Sequence, residues 1–494
     1  FPGQVTEDPI LLDLEREALG GGLYKYRFQP VENMYEMVQL LAAQGTDCTK
    51  QLTLSFPAYH TVENREEAPS PLLLQVYRLV TGETAADYSR LLQGLGPRQG
   101  FIPPPGSAPF SDAEWWLKRF AGQKAAAKKL PAIVPALYPG LKQGLHSRRQ
   151  RSSPFFTAYD GGVFPPKPLW EDGRLFSASS LEQLGKCPYG YFLKYVLRIA
   201  PPLETASDSE KWLDALTRGD LLHRIFEDFY RRLLAQKEKP AYNKHLQLLE
   251  SIAGQKLEQQ RKEHPPPYEA VYDYEFREIM ESCRLFLRVE EENAALSTPV
   301  YLELTLGLEG MENKEIQGEI PPVRIDLPSG RHLLLRGKID RVDRLPADDA
   351  YQIWDYKTGG TYAFEPGSMF WGGRQLQHAL YGLAWEQICK RKGICSEPVI
   401  LGCGYLFPTI KGEGQRVMRP FQEGRAKALE ILDSLGDLLD SGTFVMTLEP
   451  DVDCTFCDYA VICGMGTFGP AVEEKISKAE GGALAKYYLL RQIK

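Results

Sequence analysis

The chain has 494 residues, 43% of them hydrophobic and 25% charged, with a formal net charge of -7. That is the composition of an ordinary soluble protein, long enough for roughly three domains of ~150 residues each, and no apolar run approaches the ~18 residues of a membrane span. The acidic balance argues against a simple nucleic-acid coat but leaves room for a local basic channel, because binding follows the local field.

The opening residues, FPGQVTEDPILL, carry neither a start methionine nor a signal-peptide pattern, so the chain reads as a piece of something longer. Residues 1–107 mix short apolar runs with turn residues, and 111–145 read as helical. The basic stretches at 124–129 and 146–151 read as solvated surface. Residues 151–174 are rich in proline and glycine and read as a linker. The predicted division is 1–150, a linker over 151–174, a main domain over 175–470 and a helical tail over 471–494.

Beyond residue 175 the pattern sharpens. Ser179 and Glu182 read as a capping box that opens a helix. Residues 209–236 carry an apolar stripe of Leu221, Leu222, Ile225, Phe226, Phe229 and Leu233 at helical spacing. Further helices are predicted at 246–263 and 273–296. Strands follow at 300–308, 332–345 and 351–357, then a helix at about 373–392 and a strand at 398–407. That order predicts an α/β core with a mixed sheet.

The chemistry gathers at the strand YQIWDYKTGG, 351–360. Alternation puts Asp355 and Lys357 on the face of Ile353, and Trp354 and Tyr356 on the other. An isolated acid–lysine pair is ordinarily a solvated ion pair of little worth, but this one ends an apolar strand. In the preceding strand, alternation groups Lys338, Asp340 and Val342 against Ile339 and Arg341. Antiparallel pairing would set Asp340 beside Asp355, and two close carboxylates need a cation or a proton between them. A hard divalent ion such as Mg²⁺ or Mn²⁺ fits oxygen ligands. His223 flanks the apolar stripe of its helix, and Gln377 and Tyr381 share a helix face four residues apart.

Nine cysteines, odd in number and scattered, argue against a disulfide framework. Cys48, Cys283, Cys389, Cys395 and Cys403 lie in or near apolar stretches and read as buried thiols. Cys454, Cys457 and Cys463 form a C-x2-C-x5-C set, with Cys187 far upstream as a fourth candidate. By spacing alone, these four suit either a tetrahedral zinc or an iron–sulfur cluster.

Taken in order, the motifs resemble the PD-(D/E)XK nuclease superfamily, in particular its RecB/AddB-type branch. The resemblance is carried by Gly219 and His223, by Gly337, Ile339 and Asp340, by Asp355 through Gly359, and by Gln377 and Tyr381. It implies a restriction-endonuclease-like core, a mixed sheet flanked by helices, with a mostly helical insertion and an N-terminal helicase-like α/β remnant. It implies that His223, Asp340, Asp355 and the backbone carbonyl of Tyr356 hold Mg²⁺ or Mn²⁺. Lys357 would stand at the attacking water with a depressed pKa, and Gln377 and Tyr381 would position phosphate or the lysine. It further implies a structural 4Fe-4S cluster on Cys187, Cys454, Cys457 and Cys463, with zinc as the alternative. The expected partners are DNA and a helicase–nuclease subunit, with no membrane and a cytoplasmic location. No G-x-x-x-x-G-K-[ST] occurs, so no ATP site is evident. A non-catalytic DNA-end scaffold that keeps the fold is the competing reading.

Overall fold

The computed structural model describes residues 11–493 except 21, 46–53, 61–64, 97–106, 121–127, 129–132, 134–135, 164–167, 171–172, 201–210, 314, 317, 348 and 365–367. Cys48 and most of the basic stretch at 124–129 therefore lie outside the described residues. The chain divides into two compact units, one of residues up to Arg148 and the other of Arg149–Pro202 and Asp208–Lys494. Among the described residues, the first unit holds helices such as Gln29–Gly45, Pro71–Thr81 and Asp112–Phe120, and one antiparallel pair, Tyr59–His60 with Arg65–Glu66. No helix among the described residues is long and apolar enough to cross a membrane.

The second unit carries every motif. In chain order its main elements are α1 (Ala178–Lys186), α2 (Ala215–Gln236), α3 (Tyr242–Glu263), α4 (Glu269–Asn293), β1 (Thr298–Leu306), β2 (Val323–Asp326), β3 (His332–Leu335), β4 (Gly337–Arg344), β5 (Ala350–Tyr356), α5 (Gln377–Lys392), β6 (Val399–Leu406), β7 (Arg416–Pro420), α6 (Phe421–Asp440), α7 (Met465–Ser477) and α8 (Gly482–Arg491). Five strands form one sheet in the order β7-β6-β5-β4-β1; β5 and β6 run parallel and the other pairs antiparallel. The parallel pair needs a crossover, and α5 supplies it.

The stretch expected as one strand over 332–345 is two. β3 pairs with β2 and with Leu175–Phe176 in a separate small sheet, whereas β4 belongs to the main sheet. The chain changes sheets at Arg336, whose N–H still donates to the Phe176 carbonyl.

Two cores sandwich the main sheet. One joins Leu304, Ile339, Val342 and Ile353 to α1, α5, α6 and the tail helix α8. The other joins Leu302, Trp354 and Tyr356 to the apolar stripes of α2, α3 and α4. Cys283, Cys389, Cys395 and Cys403 are buried free thiols, as their apolar surroundings imply.

Strict alternation fails in β1 and β4. Leu302 and Leu304 belong to opposite cores although two residues apart, and Ile339 shares a core with Val342 rather than lying beside Arg341. The cause is Glu303, between Leu302 and Leu304, which takes φ of 50°. A left-handed residue in a strand resets which face its neighbours present, and such conformations persist where surrounding contacts impose them.

Arg341 consequently enters the helical layer. Its guanidinium donates to Asp343 at 2.6 and 2.7 Å and to Glu290 at 2.7 Å, all with almost no exposure. Glu290 also receives Arg416 at 2.6 Å and the Tyr230 hydroxyl. Removing one partner of a buried ionic network leaves uncompensated charge. Arg341→Leu is expected to lower unfolding free energy by ~3–5 kcal/mol in urea denaturation; an unchanged midpoint would show that the network is stabilised by other means.

Candidate functional site

β5 delivers Asp355 and Tyr356 to the end of the sheet, and the chain then leaves through Lys357 and Thr358 into two glycines. The antiparallel register of β4 and β5 brings Asp340 alongside, and Asp340 Oδ2 accepts the Tyr356 N–H at 2.8 Å. On the opposite side α2 presents His223, whose Nδ1 lies 3.2 Å from Glu303 Oε1 and 3.6 Å from Asp340 Oδ1. The His223 ring stands edge-on to Tyr356, with centroids 5.4 Å apart.

His223, Glu303 and Asp340 place one ligand atom each within 4.8 Å of one another. An imidazole and two carboxylates suit a divalent cation. Glu303 was absent from the sequence reading, although its signal was visible: a lone acid inside the apolar strand VYLELTL. Asp355 stands next to this trio without belonging to it. Its carboxylate faces the Lys357 Nζ at 2.7 Å and accepts from Gln377 Nε2.

Lys357 also donates to Gln377 Oε1 at 2.8 Å, and Gln377 Nε2 reaches the Tyr381 hydroxyl at 3.3 Å. Gln377 and Tyr381, one helical turn apart on α5, thus brace both members of the pair. The depression expected of Lys357 belongs to a lysine beside a bound cation; in the metal-free protein the balance runs the other way. Burial pulls its pKa down, but Asp355, with Glu182 and Asp340 behind it, outweighs burial and holds it above the ordinary lysine value.

The trio is short of positive charge. Burial and the repulsion of Asp355 push the Asp340 carboxyl up to about 8. Burial alone would lower His223, but Asp340 and Glu303 raise it to about 9. Glu303 is held below the usual carboxylate range, because His223 and Lys338 outweigh its burial.

Glu182 corrects a second reading. The box that opens α1 is Ser177 with Ser180, not Ser179 with Glu182. The Glu182 carboxylate points across the core and accepts the N–H groups of Leu376 and Gln377 at 2.8 and 2.9 Å. It thereby satisfies donors that a helix N-terminus leaves open, with the charge sign the helix dipole favours. Just before α5, Arg374 forms a bidentate pair with Asp453 at 2.7 and 2.8 Å.

Both anchors lie on the cysteine-bearing segments. Cys187 ends α1, and Cys454 follows Asp453. Cys187 and Cys454 are raised to about 12 and 11 by burial, with smaller contributions from neighbouring thiols: Cys457 and Cys454 act on Cys187, and Cys457 and Cys463 on Cys454. The N–H of Gly190 donates to Cys187 Sγ and that of Met465 to Cys463 Sγ, both at 3.4 Å. Thiols near enough to influence one another and served by backbone donors are a donor set that fits a thiolate-bound metal centre.

The family model of the PD-(D/E)XK nuclease superfamily matches residues 175–464. A subunit of the ATP-dependent helicase/deoxyribonuclease of Moorella thermoacetica is 22% identical over 92% of this chain and 38% of its own length. Its counterpart from Symbiobacterium thermophilum is 25% identical over 73% of this chain and 31% of its own. The counterpart from Streptococcus pneumoniae strain G54 is 30% identical over 37% of this chain and 15% of its own. The chain thus spans well under half the length of each of these relatives. The family match takes in β5, both carboxylate strands, the Gln377 helix and all four cysteines, and it covers more than half of the chain: the protein belongs to the PD-(D/E)XK nuclease superfamily.

Proposed function

We propose that the protein is a divalent-metal-dependent deoxyribonuclease, the nuclease part of a helicase–nuclease that acts on DNA ends in recombinational repair. The observation that carries this reading is the braced pair of Asp355 and Lys357 beside the His223–Glu303–Asp340 trio. A non-catalytic scaffold gives no reason to hold a lysine between a carboxylate and a glutamine in a buried, acid-rich site. The division into a helicase-like portion over 1–150, a linker over 151–174, a nuclease domain over 175–470 and a tail over 471–494 is part of the same proposal. So are a partner subunit, of the kind the relatives' names describe, and a cytoplasmic location.

In this proposal His223, Asp340, Asp355 and the Tyr356 carbonyl hold the metal, Mg²⁺ or Mn²⁺, with Glu303 as a further oxygen donor. The bound cation offsets the charge that phosphodiester hydrolysis builds on phosphate and makes nearby water more acidic. Lys357, paired with Asp355 in the metal-free protein, would stand at the phosphate and the attacking water, to orient the water or take its proton. Gln377 keeps Lys357 and Asp355 aligned through its two ends, and Tyr381 holds Gln377. An arginine at 357 could supply charge but could not exchange its proton. On linear DNA with Mg²⁺ or Mn²⁺, Asp355→Ala and Lys357→Ala are expected to lose at least ~100-fold in cleavage rate. Intact DNA with wild type, or variants that cut equally well, would remove the reading.

Proton balance offers a test that needs no DNA. His223 and Asp340 both titrate above their ordinary values, so the metal-free centre carries excess protons at pH 7. Metal ligands must shed such protons, so affinity should rise with pH up to about 9. Adding Mn²⁺ at pH 7 in weak buffer is expected to acidify the solution, and less so with His223→Ala. Binding without proton release would mean that the cation sits elsewhere.

We also propose that Cys187, Cys454, Cys457 and Cys463 hold a 4Fe-4S cluster that acts as a staple. Zinc in a tetrahedron of ~2.3 Å bonds is the alternative occupant of the same four thiols. Because Cys187 is so distant in sequence from the other three, the closure restricts the unfolded chain strongly. Cys457→Ser is expected to lose iron and to melt ~4–8 °C lower, the shift produced by about 2 kcal/mol in a large domain. An iron-free, zinc-containing wild type, or a variant that melts unchanged, would defeat the assignment.

A further inference from the structure

At the start of α1, lined by Ser177 and Ser180, lies a concavity of about 640 Å³. Its lining includes Arg174, Lys194, Arg198 and Arg336 together with Tyr191 and Tyr195, and among the described residues no carboxylate. None of the four cations has an acidic partner among the described residues, in a chain whose net charge is -7. Elsewhere in this unit basic side chains are commonly paired, as Arg331, Arg341, Arg374 and Arg416 are. An unpaired cluster of like charges repels itself and is costly unless something anionic joins it.

The backbone is shaped around this cleft. After the short helix Pro188–Tyr191 the chain widens into a π-helical turn, Phe192–Val196, and Arg198 then takes φ of 55°. Such turns and left-handed residues are concentrated at functional sites. Lys194 and Arg198 are exposed, and Tyr195 is half-buried against Tyr191, with ring centroids 5.2 Å apart. The Lys194 Nζ lies 5.7 Å from the Tyr195 ring centre, and the Arg174 guanidinium lies 5.8 Å from that of Tyr191. Cations around a half-open aromatic ring match the needs of a nucleic-acid strand, phosphates on the first and a base on Tyr195, with the buried Tyr191 as the wall behind it.

The cleft also borders the chemistry. Arg336 precedes Gly337, and a Cβ at Gly337 would lie 3.6 Å from the Tyr381 hydroxyl. Ser177 and Ser180, which line the cleft, flank the start of the helix whose Glu182 caps the Gln377 helix. We infer that this cleft binds the phosphates of a single DNA strand and leads it to the Asp355–Lys357 centre. The inference rests on the nuclease reading above and adds to it a path for the substrate.

Equilibrium binding of a fluorescein-labelled oligothymidylate to the full chain, read by anisotropy in EDTA so that nothing is cut, tests it. Lys194→Glu with Arg336→Glu, both at exposed positions, is expected to weaken binding at least ~10-fold. It should also flatten the salt dependence by ~0.7 in log–log slope for each phosphate no longer engaged. The charge-keeping pair Lys194→Arg and Arg336→Lys should bind as wild type does. Lys262→Glu, one reversal at an exposed lysine outside the cleft, should change affinity less than two-fold. Wild-type affinity and slope in the double reversal, or equal weakening by Lys262→Glu, would overturn the cleft while leaving the nuclease reading intact. A wild type that binds no DNA strand and cuts none would instead remove the nuclease reading itself.

Discussion

Three carboxylates and a histidine are crowded at one end of a sheet, with too little water to screen them. Asp340, Asp355 and Glu303 are each almost fully buried. Like charges at that separation in a poorly solvated site repel strongly unless cations or protons stand between them. Burial and mutual repulsion shift Asp340 upward, its neighbouring acids shift His223 upward, and lysines stand at two edges, Lys338 on Glu303 at 2.5 Å and Lys357 on Asp355. The same electrostatic tension that raises those two groups is what would give a divalent cation its attraction. Much of the surrounding architecture keeps those acids from moving apart.

That restraint comes from several directions. Tyr356 donates its N–H to Asp340, so β5 and β4 are fastened at the acid level. Gln377 holds Asp355 and Lys357 together, and α5 is held in turn by Glu182 and, through Arg374, by Asp453. Arg491 on the tail helix donates to the carbonyls of Gly185 and Gly372 and to Glu449 at 2.9 Å. Gly185 has no room for a side chain, since a Cβ there would meet the Gly373 carbonyl oxygen at 2.2 Å. The segments bearing the cysteines therefore pack against the start of the helix that braces the lysine. A centre joining Cys187 to Cys454, Cys457 and Cys463 would fix two anchors of one helix at once.

Charge is distributed unevenly around this frame. Acids dominate at the sheet end, while the cleft at the start of α1 collects cations that have no acidic partner among the described residues. Opposed fields of this kind draw a polyanion to one surface and a dication to the neighbouring pocket. Negative net charge is therefore no bar to the proposed DNA binding, because binding follows the local field rather than the total.

How much of this was legible in the residues alone follows a physical division. Local periodicity revealed α2 to α5 and the strand ending in Asp355 and Lys357, because helix and strand spacing are properties of neighbours in sequence. Motif order brought His223, Asp340, Gln377, Tyr381 and the four cysteines into view. Lost to that reading were Glu303 in the acid cluster, Glu182 as the cap of a distant helix and the two-sheet split at Arg336. Glu303 breaks the alternation with a left-handed backbone, which only the packing around it enforces. Glu182 looked like a local cap because its partners, Leu376 and Gln377, are remote in sequence. The pKa of Lys357 depends on which carboxylates surround it and how much water they exclude. Residue types and short-range order are thus written in the chain, whereas long-range electrostatics and cross-core hydrogen bonds exist only once folding has brought distant segments together.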